Sequence, residues 1–386
     1  MGKYSGNKKR NIAFLLPSMY GGGAERVASE LSQFMEKEGH NVYIFTERAR
    51  RGYSFAGKIV LLKPSVVSTV FPKEIMELVT LSKEIKKQKQ KYRIDVSISF
   101  MEKYNYANVL SRRGDKIITR VCTTLSARKD LTGFYYNKFW VKNLYSMADK
   151  VVVLSRFGRN DMVENYGIRR SKLVVIPNAV IPRDFNEKIP WEYGDKVILS
   201  VNRIDAVKQQ GILIDALEQV INKVPTARLL LVGDDVGEYA AKIKTIIKRR
   251  NLSEYVIFTG RVDNVEYYMN NAKVLLSTSI TEGFPNAVIE AMNQGLPVIA
   301  TDYPGPMRDI LGVRSELGNV RYGIMVPMIE ECKKDAEYRQ RIEQLSNKII
   351  EILTDERLAK YYQKSSRVRA RFYSKNKIED MWKRLV

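Results

Sequence analysis

The chain has 386 residues, of which 45% are hydrophobic. That is enough apolar material for two domains with sizeable cores, and it excludes a disordered chain. It carries 65 Lys and Arg against 43 Asp and Glu, a formal net charge of +22, and only two cysteines, Cys122 and Cys332, which excludes a disulfide framework and leaves no Cys/His cluster for a zinc site. No stretch approaches the ~18–20 apolar residues of a membrane span. The apolar run Ile12 to Leu16 stops at Pro17 and is too short for a signal-peptide core. A cytoplasmic protein with peripheral membrane contact at most is expected.

In chain order, Asn11 to Leu16 predicts a strand, Gly21-Gly22-Gly23 a tight loop, and Ala24 to Lys37 an amphipathic helix with Val27, Leu31 and Phe34 on one face. The glycines permit a close approach of backbone to a ligand, but Ala24, Glu25 and Arg26 follow, so this is not G-x-G-x-x-G. Further strands are expected at Val42 to Phe45, Asp95 to Phe100, Lys116 to Val121 and Lys150 to Leu154, alternating with helical stretches. Lys83 to Lys91 reads as a basic helical run. The one histidine, His40, enters the second strand at a turn and is read as structural. Residues 1–180 hold 33 Lys and Arg against 15 Asp and Glu, so +18 of the net charge lies there and points to a polyanionic partner, nucleic acid or an anionic membrane face.

A stretch with Pro182, Pro190 and Gly194 and little periodicity marks an interdomain linker, giving domains 1–185 and 186–370. A second α/β series follows. Its strands are expected at Val197 to Val201, Arg228 to Val232, Val256 to Thr259, Lys273 to Ser277, Val298 to Thr301 and Gly323 to Val326, with helices at Gly211 to Lys223 and Glu238 to Arg250 and a charged helical tail from Asp335. Strands alternating with helices predict parallel sheets.

The most informative passage is Thr281-Glu282-Gly283-Phe284-Pro285-Asn286-Ala287-Val288-Ile289-Glu290-Ala291-Met292. A strand ends just before it, so Glu282 lies at a carboxyl end, where open α/β sheets bind ligands. Free backbone N–H groups near residues 283 to 286 open a helix that carries Glu290, and such N–H groups favour phosphate. N–H donors beside two carboxylates suit a ligand with both phosphates and hydroxyls, such as a nucleotide sugar. Arg203 and Lys208 follow another strand end and are placed to neutralise a diphosphate. Asp234 ends a further strand and reads equally as a ligand contact or a helix cap.

Glu282 and Glu290, seven residues apart within Glu-Gly-Phe-Pro-Asn-Ala-Val-Ile-Glu-Ala-Met, resemble the E-x7-E signature of retaining glycosyltransferases of family 4. Arg203-Ile-Asp-Ala-Val-Lys208 resembles the family's R-x4-K pair, although Asn202 stands where the family usually has Gly. The resemblance is close in the C-terminal half and looser in the N-terminal half. It implies a GT-B fold, two Rossmann-like domains facing each other across a cleft, with a last helix of about 371–386 packing back onto the first domain. It further implies that Glu282 contacts sugar hydroxyls and Glu290 the ribose, that Arg203, Lys208 and the amides of Gly283, Phe284, Pro285 and Asn286 carry the phosphates, that Arg261 and Val262 meet the base, and that Gly22 and Gly23 face the donor. Many family members place a histidine on the first domain near the sugar. Thr119-Arg120-Val121-Cys122 stands there, making Arg120 the nearest candidate for a cleft role.

The expected function is a retaining, metal-independent glycosyltransferase with no cofactor, using a UDP- or GDP-linked sugar. A lipid-linked glycan of cell-surface polysaccharide synthesis is the expected acceptor, met at the inner face of the cytoplasmic membrane through the basic N-terminal domain. A basic nucleic-acid-binding protein leaves Glu282 and Glu290 unexplained and lacks a nucleic-acid motif. A GT-B sugar-nucleotide epimerase would need acid/base residues that the sequence does not present.

Overall fold

The computed structural model describes residues 9–64, 73–128, 132–180, 191–314, 316–331 and 335–386. Contacts divide the chain into two compact units, Met1–Asn178 with Glu379–Val386, and Ala179–Ile378. Most of the expected linker, residues 181–190, lies outside the described residues.

The first unit contains β1 (Asn11–Leu15), α1 (Gly23–Lys37), β2 (Asn41–Thr46), β3 (Lys58–Leu61), α2 (Lys73–Lys91), β4 (Val96–Phe100), α3 (Glu102–Leu110), β5 (Lys116–Arg120), α4 (Lys138–Met147), β6 (Lys150–Val153), α5 (Arg156–Glu164) and β7 (Leu173–Val175). The strands form one parallel sheet in the order β3-β2-β1-β4-β5-β6-β7. Their apolar runs suit a sheet covered on both faces by helices.

The second unit repeats the plan with β8 (Val197–Val201), α6 (Gln210–Ile221), β9 (Arg228–Val232), α7 (Glu238–Arg249), β10 (Val256–Gly260), α8 (Val265–Asn271), β11 (Val274–Ser277), α9 (Asn286–Gln294), β12 (Val298–Thr301), α10 (Met307–Leu311), β13 (Gly318–Val320), β14 (Gly323–Val326), α11 (Ala336–Thr354), α12 (Glu356–Ala370) and the start of α13 (Lys375–Leu385), whose remainder belongs to the first unit. Its order is β10-β9-β8-β11-β12-β14-β13, with β13 antiparallel at the edge. Both orders reverse direction beside their first strand. The switch points, β1/β4 and β8/β11, are where doubly wound sheets open a crevice for ligands.

Apart from the short separate pair Ser18–Met19 and Arg48–Arg51, the unforeseen strands, β3, β7 and β13, are all edge strands. They are short and only partly buried, so they lack the apolar run that marks the central strands.

The buried face of α1 also differs from expectation. It is Ala28, Leu31, Ser32 and Met35, with Val27 and Phe34 at its margin. Two serines set this rotation. Ser29 donates to Ser54 O at 2.5 Å, and Ser32 accepts the Ala56 N–H at 3.0 Å. The basic run on α2 is not wholly a surface feature either, because Lys89 is fully buried. It pairs with buried Asp115 at 2.8 Å and donates to Asn108 Oδ1 at 2.7 Å. The chain's last eight residues belong to the first unit, where Trp382 and Leu385 are buried and Lys116 donates to Leu385 O at 2.7 Å.

Candidate functional site

In the second unit the β8 strand end is fixed by its neighbour. Asn202 N–H donates to Val232 O at 2.9 Å, and Ile204 N–H to Asp234 O at 2.8 Å. Gly233 has φ +142°, and a Cβ there would lie 2.2 Å from Asn202 O. Only glycine allows this approach. Asp234 lends its backbone carbonyl to this turn, and the cap position of α7 belongs to Gly237 rather than to Asp234.

From this end the chain turns over Asp205. One carboxylate oxygen accepts the N–H groups of Val207 and Lys208 at 3.0 and 3.2 Å, and the other pairs with Arg203 at 3.1 Å. The Arg203 side chain is 76% exposed. Lys208 turns inward instead. Its side chain is 17% exposed and ion-paired with Glu282, itself 15% exposed. Ser279 Oγ donates to the same Glu282 oxygen at 2.8 Å.

This ion pair spans the β8/β11 switch point. Two backbone contacts reinforce it: Ile280 N–H donates to Val207 O at 2.7 Å, and Thr278 Oγ1 to Lys208 O at 3.0 Å. Gln209 locks the turn from below. It is buried, has φ +53°, donates to Thr278 O and Ile329 O at 2.9 and 3.0 Å, and accepts Glu331 N–H at 2.9 Å. The polar Gln209-Gln210 pair at the start of the apolar α6 was the available sequence signal for it.

Behind Glu282, a Cβ on Gly305 would lie 2.9 Å from Glu282 O. Tyr303 is buried with its hydroxyl 3.3 Å from Ser277 Oγ. Burial, and then the Glu282 charge, push that phenol well above its usual range. Phe284 is buried edge-on to Tyr373, with ring centroids 5.7 Å apart.

The helix start departs from expectation in two ways. Pro285 occupies the cap position of α9 rather than its first turn, and it has no N–H to offer. The Asn286 N–H is already donated to Phe284 O at 3.1 Å. Among the described residues, the amides of Gly283 and Phe284 keep no backbone partner. Glu290 is half-buried on the second turn of α9. Arg261 is exposed and Val262 half-buried just beyond β10.

In the first unit, Gly21 has φ +113° and Gly22 caps α1, both exposed, with Gly23 as the helix's first residue. The Glu25 carboxylate folds back under Gly22, where a Cβ would meet Glu25 Oε2 at 2.9 Å. Arg120 is not offered to a surface. It is 2% exposed, bonded to Asn178 Oδ1 and to Cys122 Sγ at 3.3 Å, with its guanidinium 5.5 Å from the Phe100 ring centre. Apolar neighbours and these bonds hold it in the core, so the expected cleft role is corrected to a buried one. His40 is buried and accepts the Arg10 N–H at 3.3 Å, as a structural residue would.

Sequence reasoning missed Glu102, which follows β4 at the first unit's switch point. It is buried, its Oε1 has no partner, and burial raises its carboxyl to about 6. Met101 before it has φ +70°, a strained conformation for a side chain of this kind.

Two family models match the chain: "Glycosyltransferase Family 4" over residues 21–183 and "Glycosyl transferases group 1" over residues 183–313. A Campylobacter jejuni relative, N-acetylgalactosamine-N,N'-diacetylbacillosaminyl-diphospho-undecaprenol 4-alpha-N-acetylgalactosaminyltransferase, is 26% identical over 96% of this chain and 97% of its own. The amylovoran biosynthesis glycosyltransferase AmsD of Erwinia amylovora is 26% identical over 73% of this chain and 77% of its own. Among solved structures, Anabaena HepE in complex with UDP and glucose aligns with a TM-score of 0.76 at 18% identity, covering 97% of this chain and 99% of that one. WaaG, a glycosyltransferase involved in lipopolysaccharide biosynthesis, aligns at 0.71 and 16% identity, with coverage of 97% and 99%. With two doubly wound units and these two models meeting at residue 183, the chain belongs to the group 1 glycosyltransferases of the GT-B fold, family 4 type.

Proposed function

We propose that this glycosyltransferase transfers a sugar from a UDP- or GDP-linked donor to a lipid-linked glycan with retention of anomeric configuration, without a metal, at the cytoplasmic face of the membrane. The observation that carries the reading is the Lys208–Glu282 ion pair across the β8/β11 switch point. It sets a cation and a carboxylate side by side where a phosphate and a sugar would meet.

Lys208, Arg203 and the amides of Gly283 and Phe284 receive the diphosphate. Arg203 does so by exchanging Asp205 for a phosphate oxygen. Glu282 holds sugar hydroxyls, Glu290 the ribose, and the segment at Arg261 and Val262 the base. The acceptor oxygen attacks the anomeric carbon on the face from which the phosphate leaves. The carbon–phosphate-oxygen bond breaks, and the acceptor's proton passes to the departing phosphate. Fixed cations at the leaving group supply the main electrostatic demand of this step. Among the described residues, no group of three or more His, Cys, Asp or Glu is placed to hold a metal ion.

Support for the acceptor class comes from relatives named for undecaprenol-linked substrates and for O-antigen biosynthesis. Support for a uridine nucleotide comes from HepE, solved with UDP-glucose. The net charge of +18 in residues 1–180 supports a peripheral membrane location.

Calorimetry with the free nucleoside diphosphate tests the division of labour. Glu290→Ala should weaken that binding, whereas Glu282→Ala should leave it nearly intact and abolish transfer. Equal weakening in both variants contradicts the assignment. Transfer should persist in EDTA, and its loss would contradict the metal-free reading.

A further inference from the structure

The charge balance of the two halves conceals a second basic surface. From Arg357 to Lys377 the chain holds eight Lys and Arg and no Asp or Glu. This segment is most of α12, the turn Arg371–Tyr373 and the start of α13.

Its side chains are sorted by face. Ala359, Tyr362, Ser366 and Ala370 are buried. Hydrogen bonds bolt the helix down: Tyr362 Oη donates to Val320 O at 3.1 Å, Arg367 to Gln294 O at 3.0 Å, and Arg369 to Ile310 O at 2.9 Å. The helix therefore cannot roll to hide its outer face.

That outer face carries three large apolar side chains in solvent, Tyr361, Val368 and Phe372, exposed by 53, 47 and 53%. Exposed Lys360, Lys364 and Arg371 stand between them. The spacing of three and four residues makes one stripe. Arg369 and Lys377 hold their cations 5.2 and 5.0 Å from the centre of the Phe372 ring.

We propose that this stripe is a docking surface for the anionic headgroups of a lipid bilayer, with Tyr361, Val368 and Phe372 entering the headgroup–acyl boundary. The proposal rests on the peripheral membrane location above but assigns it a different surface. An apolar stripe interleaved with cations is what an interfacial helix requires: the cations meet lipid phosphates, and the apolar groups leave water. A nucleic acid would use the cations but leave Val368 in solvent. The N-terminal clusters are weaker candidates, because Lys89 is in the core and Arg112 is paired with Asp149 at 3.0 Å.

Co-sedimentation of the full chain with vesicles of 3:1 phosphatidylcholine and phosphatidylglycerol, and with pure phosphatidylcholine, tests this. Two triple variants are compared with the wild type: Lys360→Glu, Lys364→Glu, Arg371→Glu, and Tyr361→Ser, Val368→Ser, Phe372→Ser. All six positions are exposed, and circular dichroism together with thermal shift by UDP verifies folding. The wild type should bind only the anionic vesicles. Charge reversal should weaken binding on the order of a hundredfold, and the serine variant roughly tenfold or more. If both variants bind like the wild type while Lys83→Glu, Lys86→Glu, Lys87→Glu does not, the docking surface is N-terminal and this proposal is overturned, while the membrane location stands. Absence of wild-type binding to anionic vesicles removes that location and this surface together. Tighter binding of a 20-nucleotide RNA than of anionic vesicles, lost on charge reversal, also overturns it.

Discussion

The two units follow one doubly wound plan and treat charge in opposite ways. At β8/β11 the charged groups are half-buried or exposed, in pairs within reach of solvent, Lys208 with Glu282 and Arg203 with Asp205. In the first unit the charges are drawn inside: Lys89 pairs with Asp115 in the core, Arg120 is buried, and Glu102 is buried at β1/β4 with an unpartnered oxygen. A doubly wound sheet thus fixes where a crevice opens and leaves the chemistry to the residues that line it.

The largest expected effect tests whether the first unit's charges are structural. Lys89→Ala strands a fully buried carboxylate and should cost about 3–5 kcal/mol, lowering the melting temperature by roughly 10 °C. A melting temperature within a degree of wild type would break the contrast.

Next comes the second unit, where charge should matter for turnover. Lys208→Ala should lose about 1.5–3 kcal/mol of charge-assisted bonding to the leaving phosphate, roughly ten- to a hundredfold in rate, with a far smaller melting shift than Lys89→Ala. Arg203→Ala should be milder, since that side chain lies mostly in solvent. Wild-type turnover in both would remove the phosphate assignment.

Glu102 sharpens the contrast through pH. Its carboxyl is raised by burial from 4.5 to about 6, so the folded state keeps a proton that the unfolded chain releases. The resulting stabilisation is complete below pH 4.5 and lost as pH rises through 6. Above that, the native state carries a penalty of about 2 kcal/mol. Glu102→Gln should match wild type near pH 4.5 and be more stable at pH 7. Parallel melting curves across this range would show that Glu102 ionises normally.

Much of the second unit was legible in the sequence. The apolar runs of β8, β9, β11, β12 and β14 mark buried parallel strands, and glycine and proline end the elements around Glu282. The first unit was less legible. Serines rather than apolar spacing set the buried face of α1, and Lys89 looks like its solvated neighbours until Asp115 is brought to it.

By itself, then, the sequence determined two α/β units, their central strands, and the positions of Arg203, Lys208, Glu282 and Glu290 at strand ends and on a helix, because hydrophobic period and turn residues act locally. Only the tertiary structure decided that Lys208 pairs with Glu282, residues far apart in the chain, and that Arg120 and Lys89 face inward. It alone also placed Tyr361, Val368 and Phe372 outward together. Those outcomes depend on which distant groups share a low-dielectric interior and which are left to water, and no local pattern encodes that.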